Sequence, residues 1–205
     1  MHAAPGVGAK VAAEQGGCHA RGMPFPDAEP SLRQLITSFA STDPVPAGGA
    51  AAVVASAVGV GLALKVIAIS GGEGALALVR DELRQLLEQL QPEFEVDCAS
   101  FVGLMDAQRL PRNDPSRAGL VRAGWQAATA APVTVAVRAR RAEMLIASCR
   151  GQVKATVGAD LEAAIDLVRT GRVIAERNAR ENAERLEPSV ARELLERLGA
   201  GPVNE

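Results

Sequence analysis

The sequence predicts an all-α fold, an up-and-down bundle of five to six long helices. Apolar residues recur every three or four positions through most of the chain, which is the spacing of one helix face. Proline, glycine and capping residues divide these stretches into segments of helical length. The β-prone run VTVAV at 133–137 lies inside an Ala- and Arg-rich helical stretch, so we assign it to a helix.

Residues 1–30 are rich in Gly, Ala and Pro and lack a strong apolar period, which predicts a disordered leader. No apolar core of signal-peptide length follows a basic start. Met1 and Met23 are both candidate start residues. We expect a single helical domain over residues 31–199 and a short tail at 200–205.

The first helix is predicted to begin after Ser31, because Gln34 three residues later completes a capping box. The segment 43–49, rich in Pro and Gly, ends it, and a second helix runs from about Gly48 to Ile69. The apolar stripe of the first helix consists of Leu32, Leu35, Ile36 and Phe39.

The second helix is long enough to be considered as a membrane span. Its residues 50–69 are mostly Ala, Gly and Val, which insert weakly compared with Leu, Ile or Phe. Lys65 lies within the run, and no aromatic belt flanks it. A buried, close-packed helix is therefore favoured over a transmembrane helix.

A third helix is predicted to begin near Glu73 and to continue, kinked at Pro92, to about residue 110. Asp114 is a good N-cap with Pro115 at the first helical position, and starts a fourth helix that contains Pro132 and reaches about residue 150. The stripe before the kink consists of Leu76, Val79, Leu83, Leu86, Leu87 and Leu90.

A fifth helix is expected from about Thr156, and the segment PSVARELLERLG closes the domain as a short helix with Gly199 as its stop. The fifth helix has a predicted buried stripe of Val157, Leu161, Ala164, Ile165 and Val168.

Composition excludes several classes of function. A net charge of -2 gives no electrostatic footprint for nucleic acid, and only five aromatic residues leave no base-stacking surface. Both histidines, His2 and His19, lie in the predicted leader, so the folded body has no imidazole for a catalytic triad or a His-liganded zinc. We predict no metal site, and acid–base work falls to Asp, Glu, Lys or backbone groups.

The three cysteines form no CxxC motif, and their odd count without a secretory signal indicates a reduced, cytoplasmic protein. Cys98 and Cys149 lie among apolar residues. We therefore interpret both as buried, inert thiols.

The stretch DPVPAGG at 43–49 has two readings. Pro44 and Pro46 rigidify the approach to the second helix, and Gly48 and Gly49 allow a ligand or another backbone to come close. The free N–H groups at the start of that helix favour an anion or an electronegative atom. A tight helix–helix turn without any ligand fits the same pattern.

Four segments in the same order resemble the cyclodeaminase/cyclohydrolase family. PVPAGGAAA at 44–52 resembles its PTPGGGS-AA signature, and DCASFVGLMDAQRLPR at 97–112 resembles a family helix that begins with Asp. The other two segments are AATAAPVTVA at 127–136 and TVGADLEAAIDLVRTGRVIAERN at 156–178.

The resemblance implies an all-α bundle that dimerises, with a tetrahydrofolate derivative as substrate near the Gly-rich turn and no further cofactor. Family members close 5-formiminotetrahydrofolate with loss of ammonia, or add water to the methenyl carbon. Asp97, Arg169 and Asn178 match family residues. Thr156 stands where the family has Asp, and Asp160, one turn later, is the substitute carboxylate.

The residue patterns and the family resemblance together define the predicted site. Lys65 is a snorkelling side chain, a functional ammonium in the pocket, or a partner of Asp97 in an ion pair. Asp160 and Arg169 are nine residues apart and point to opposite helix faces. The predicted catalytic residues are Asp97, Asp160 and Lys65, and the predicted ligand-binding residues are Pro46, Ala47, Gly48, Gly49, Ala50, Thr156, Arg169 and Asn178.

Three functions remain open at this point. The first is a folate cyclohydrolase or cyclodeaminase, as the resemblance implies. The second is a repurposed enzyme acting on another small imine or amine, because this chain departs from the family pattern at four positions, which are Ala47, Ala50, Lys65 and Thr156. The third is a non-catalytic dimeric binding protein. For all three we expect a small-molecule ligand and a homodimer, with no nucleic acid and no membrane as partners.

Overall fold

A computed structural model of the chain describes residues 30–199. The predicted leader, the choice between Met1 and Met23 and the predicted tail at 200–205 lie outside these residues. Within them the chain forms seven α-helices and one 3₁₀ helix, and no strand. The helices are α1 (Leu32–Phe39), α2 (Gly48–Ile69), α3 (Ala75–Leu90), α4 (Glu93–Arg109), α5 (Arg117–Ser148), the 3₁₀ helix (Ala155–Val157), α6 (Gly158–Ala183) and α7 (Pro188–Gly199).

The all-α prediction is confirmed, and α2 has the predicted bounds. The run VTVAV lies inside α5, as expected. The capping box is also present, since the Gln34 N–H donates to Ser31 Oγ at 3.3 Å and the Ser31 N–H donates to Gln34 Oε1 at 2.8 Å. The predicted stripe of the fifth helix, at 157, 161, 164, 165 and 168, is buried throughout.

Two predicted boundaries were wrong. Pro92 does not kink one long helix but separates α3 from α4, because it has no N–H to continue the α3 hydrogen-bond ladder and instead occupies the position before α4. Asp114 does not cap α5 directly. Its carboxylate accepts from the N–H and Oγ of Ser116, which is the N-cap, and α5 begins at Arg117, two residues after the predicted start at Pro115.

The centre of the bundle is the antiparallel contact between α2 and α6. Gly59 of α2 faces Val168 and the carbonyl of Ala164, whereas Gly171 of α6 faces Ser56 and the carbonyl of Ala52. A Cβ atom on either glycine would lie within 3 Å of these neighbours, so the two backbones approach more closely than side chains permit.

By length and composition, α2 is the one helix among residues 30–199 that could cross a membrane, with a mean hydropathy of 2.3. In the folded chain 44% of the most apolar 18-residue stretch of α2 is buried, and the buried residues of the helix include Val53, Val60 and Ile67. The face against α6 agrees with the predicted close-packed helix. The opposite face is partly exposed, and Val58 retains 54% of its accessible surface.

Helix α1 lies at the edge of the bundle. Phe39 meets Phe94 edge to face, with ring centres 6.4 Å apart. Leu32 and Ile36 are 72% and 59% exposed, so the predicted apolar stripe is not buried within the single chain. Cys98 and Cys149 are fully buried as expected, and burial raises the pKa of the Cys98 thiol to about 12.

Candidate functional site

The turn that leads into α2 is partly buried. Val45 and Pro46 are buried and joined by a cis peptide bond, whereas Ala47 and Gly48 are exposed. Ala47 has φ −127° and ψ −159°, an extended conformation that any residue adopts. Alanine at this position therefore introduces no backbone strain.

Asp97, on the second turn of α4, places its carboxyl group directly against Gly49. A Cβ atom on Gly49 would lie 2.0 Å from Asp97 Oδ1 and 2.5 Å from Cγ. The backbone N–H of Ala50 donates to the same carboxyl group. Only glycine at position 49 allows this contact, so the turn and the carboxylate form one unit.

The environment of Asp97 alters its acidity. Burial raises its pKa from the usual 3.8 to about 6, and the negative charge of Glu93 one turn earlier raises it further, against the opposing effect of the Ala50 N–H. A carboxyl group with a pKa near neutrality is mostly ionised at pH 7 and takes up a proton readily. This is the property that general acid–base catalysis requires.

The raised pKa has a consequence for stability. The folded chain holds this proton up to about pH 6 and the unfolded chain only to 3.8, so the free energy of unfolding falls as pH rises between these values and is then constant. Asp97→Asn removes this penalty while keeping an oxygen for the Ala50 N–H. We expect the variant to be more stable than wild type at pH 7, by roughly 1–3 kcal/mol.

Urea unfolding of both proteins at pH 4 and pH 7 measures this difference. The gain is expected to be much smaller at pH 4, where the wild-type carboxyl group is itself protonated. A variant less stable than wild type at pH 7 would contradict the assigned burial of the charge.

Asn178 of α6 faces the turn from the other side. A Cβ atom on Gly48 would lie 3.2 Å from Asn178 Nδ2. Among residues 30–199 no hydrogen bond uses this carboxamide, and the first backbone bond of α2 is from the Ala51 N–H to the Ala47 carbonyl at 3.0 Å. The N–H groups of Gly48 and Gly49 and the Asn178 amide are therefore available as donors beside the Asp97 carboxylate.

The structure does not bring Lys65 to this turn. Lys65 lies sixteen residues after Gly49 on the same uninterrupted helix, which is about 24 Å at 1.5 Å per residue. It is exposed, and the described part of the chain gives it no ion pair. Within one chain, this distance rules out the predicted pairing of Lys65 with Asp97.

Thr156 and Asp160 also lie away from the turn, near the start of α6, whereas Asn178 lies near its end. Eighteen residues of helix separate Asp160 from Asn178, about 27 Å. The Lys154 N–H donates to Ser70 Oγ at 3.1 Å, which places this segment at the C-terminal end of α2. Asp160 therefore does not act together with Asp97 within one chain.

Arg169 is held on the opposite face of α6 from Asn178. Its guanidinium pairs with Glu143 of α5 at 2.9 Å and with Asp166 at 3.0 Å. Glu143 also pairs with Arg172 at 2.8 Å. Within the chain, Arg169 belongs to an ion-pair network that joins α5 to α6 and not to the turn.

Sequence reasoning did not single out Asn182. Its Nδ2 donates to the carbonyl of Ala128 on α5 at 2.7 Å. The signal was present in Pro132, because a proline inside a helix leaves the carbonyl four residues earlier without its usual donor. The identity of the replacement donor could not be read from the pattern.

A separate groove of about 510 Å³ lies between α4 and α5. Asp97, Gly48, Gly49 and Asn178 do not line it, so it is not part of the candidate site. No group of three or more His, Cys, Asp or Glu side chains in the described residues could hold a metal ion. The polar residues of the groove are Ser100 and Asp106, and its other lining residues are small or apolar.

Comparison with known proteins gives two matches. Residues 31–198 match the family model described as formiminotransferase-cyclodeaminase. The fold is similar to the crystal structure of formiminotetrahydrofolate cyclodeaminase from Thermotoga maritima, with a TM-score of 0.73 and 19% sequence identity over 82% of this chain and 86% of that chain. A search of curated proteins gives no match. At this identity, the structural likeness establishes a shared helical fold.

Proposed function

The chain belongs to the formiminotransferase-cyclodeaminase family, and from that premise we propose that it is a folate-type one-carbon enzyme, a methenyltetrahydrofolate cyclohydrolase or formiminotetrahydrofolate cyclodeaminase. The observation that carries the proposal is the Asp97 carboxyl group seated on Gly49 with the free Asn178 amide across the turn. This arrangement supplies a proton acceptor with a pKa of about 6 and neutral donors within one small region.

The two reactions make the same demand on Asp97. In hydrolysis, water adds to the methenyl carbon and one of its protons passes to the carboxylate, which then protonates the ring nitrogen as its bond to that carbon breaks; the second water proton leaves to solvent as the formyl carbonyl forms. In deamination, the N10 amine adds to the formimino carbon of the protonated amidine, the N10 proton passes through the carboxylate to the former imine nitrogen, and that nitrogen leaves as ammonia while the methenyl cation forms. In both cases the ionised carboxylate starts the reaction and a proton is returned to a leaving nitrogen.

The donors at the turn have a separate task. The Asn178 amide and the N–H groups of Gly48 and Gly49 are fixed by two helices, so they can hold the pterin-side nitrogen and oxygen atoms in one orientation beside Asp97. They carry no net charge, which suits a site whose reacting group is an amidine or its cation.

Purified protein supplied with 5,10-methenyltetrahydrofolate or 5-formiminotetrahydrofolate tests the proposal. Loss of the methenyl chromophore reports hydrolysis, and ammonia release reports deamination. Turnover of either substrate is expected. No turnover of either, together with no folate-induced thermal shift, would refute a folate function.

The pH dependence of the rate follows from the ionised starting form of Asp97. We expect kcat/KM to rise as pH rises through about 6 and then to level. Initial rates measured from pH 4.5 to 8, after correction for the non-enzymatic reaction, give the profile. A rate that falls as pH rises through this window would show that the protonated acid is the active form.

A second candidate is a repurposed family member acting on another small imine or amine. Position 50, fully buried at the turn, is alanine, so no side-chain hydroxyl is supplied there. The segment after α2, residues 70–74, contains Glu73 and no lysine, which removes cationic contacts for a polyglutamate tail. Consumption of a tail-less amidine in preference to either folate would favour this candidate, whereas binding without consumption would favour a non-catalytic role.

We also propose a cytoplasmic homodimer. Apart from Ser56 and Lys65, helix α2 contains only glycine and apolar residues, yet Val58 and Ile69 stay 54% and 40% exposed, and Val173 on the adjoining α6 is 40% exposed. A second copy covering this face would remove that apolar surface from water.

A further inference from the structure

The hydrogen-bond ladder of α5 is interrupted at Pro132, and another part of the fold must supply the missing donor. Pro132 has no N–H, so the carbonyl of Ala128 lacks the donor that a regular helix would supply, and the proline ring also crowds it. Ala128 is only 5% exposed. An unpaired carbonyl in such a place costs stability because water cannot replace the missing donor.

Asn182 supplies the missing donor from α6. Its Nδ2 lies 2.7 Å from the Ala128 carbonyl oxygen. Arg185, two residues past the end of α6, lies over the Trp125 ring at 5.7 Å from its centre, so the chain at the end of α6 contacts α5 at two places. These contacts hold the end of α6 against the interrupted part of α5.

The same stretch of α6 carries Asn178. Four residues separate Asn178 from Asn182, so the two carboxamides lie on nearly the same side of the helix, about 6 Å apart along its axis. One binds the proline interruption of α5, and the other lies against Gly48 at the start of α2. A shift of the helix at Asn182 therefore also moves Asn178.

We propose that Asn182 is a positioning residue: by donating to the carbonyl that Pro132 leaves unpaired, it fixes the end of α6 so that Asn178 faces the Gly48 turn and Asp97. The part of this inference that concerns catalysis rests on the proposed function. The part that concerns the contact between Asn182 and Pro132 stands without it.

A double-mutant cycle on thermal stability tests the contact. Asn182→Ala removes the donor and Asn182→Asp replaces it with an acceptor of the same size. We expect either to lower Tm by about 3–10 °C. In a Pro132→Ala background the restored backbone N–H satisfies Ala128, so the further loss of Tm from Asn182→Ala is expected to be less than about a third of that in wild type.

A second cycle tests the link to Asn178. Asn182→Ala is expected to lower kcat/KM for the folate substrate by about 10–100-fold, because a displaced Asn178 no longer orients it. In an Asn178→Ala background, Asn182→Ala is expected to change kcat/KM by less than about threefold while Tm still falls. A residue with a merely structural role would lower kcat/KM by the same factor in both backgrounds.

Failure of the proposed function and failure of the Asn182 inference give different results. A wild-type protein that turns over neither folate refutes the proposed function, and the Tm cycle still decides the inference without any substrate. Additive losses of Tm in the Pro132→Ala background overturn the inference, whatever the activity. Independent losses of kcat/KM overturn the positioning of Asn178 by Asn182.

Discussion

Asp97→Asn is expected to lower kcat by roughly 10²- to 10⁴-fold on whichever folate substrate the wild type turns over. Asparagine has nearly the shape of aspartate and retains an oxygen for the Ala50 N–H, so the turn keeps its geometry. Asparagine cannot accept a proton, and residues 30–199 contain no histidine that could replace Asp97 as the base. We therefore expect KM to change far less than kcat.

The matched control is Asp106→Asn on the same helix. Asp106 is exposed, pairs with Arg109 at 2.9 Å, and lies nine residues from Asp97 on the opposite side of α4. The Asp106→Asn substitution is expected to leave kcat within about twofold of wild type, as most surface substitutions leave a distant site undisturbed. A normal rate with Asp97→Asn would remove Asp97 from the chemistry and leave the Gly-rich turn as a binding feature.

This substitution also separates two properties that usually change together. The same replacement that lowers the rate is expected to raise stability at pH 7, because the partly buried charge is unfavourable to the fold. Loss of activity in a protein that is more stable, and not less, cannot be attributed to unfolding. A group kept charged at a cost to stability is typical of a functional site.

Much of the fold was predictable from local patterns. The period of apolar residues and the Gly-rich start predicted α2 to the residue, and the stripe of α6 is buried as expected. Pro92 shows the limit of such patterns. A proline between two helical stretches permits either a kink or a full break, and the packing of α3 and α4 on their neighbours decides which one forms.

The candidate site was predictable only in part. Gly48 was singled out by the Pro- and Gly-rich turn, whereas Asp97 and Asn178 came from the resemblance to the family. Periodicity alone does not say that α4 and α6 both reach the start of α2. By contrast, the distance between Lys65 and the turn follows from the rise of one helix and could have excluded their pairing. Asn182 was missed because its partner, the Ala128 carbonyl, needs a donor only where Pro132 removes the usual one. Pro132 lies fifty residues before Asn182 in the chain.

The second large effect is expected at Gly171. Gly171→Ala is expected to lower the free energy of unfolding by about 3 kcal/mol, the upper part of the range for overpacking. The added Cβ atom would lie 2.1 Å from Ser56 Oγ and 2.6 Å from the carbonyl oxygen of Ala52. The second of these atoms belongs to the α2 backbone, so the whole helix must move to relieve the contact.

Gly61→Ala is the matched control for this substitution. Gly61 lies in the interior of α2, and a Cβ atom there would have no neighbour within 4 Å. The Gly61→Ala substitution is expected to raise the free energy of unfolding by about 0.5–1 kcal/mol, because alanine loses less backbone entropy than glycine when a helix forms. Urea unfolding of the two variants under identical conditions gives effects of opposite sign if the α2–α6 contact is as close as described.

A third variant shows which atom of α2 causes the loss of stability in Gly171→Ala. Ser56→Ala removes the nearest obstacle in the Gly171→Ala background, but the Ala52 carbonyl remains. Only part of the lost stability is therefore expected to return. Full recovery would mean that the hydroxyl alone limits the approach. A small loss with Gly171→Ala would mean that α2 and α6 separate freely. Because these helices carry Gly48 and Asn178, such freedom would also deprive the turn of its fixed geometry.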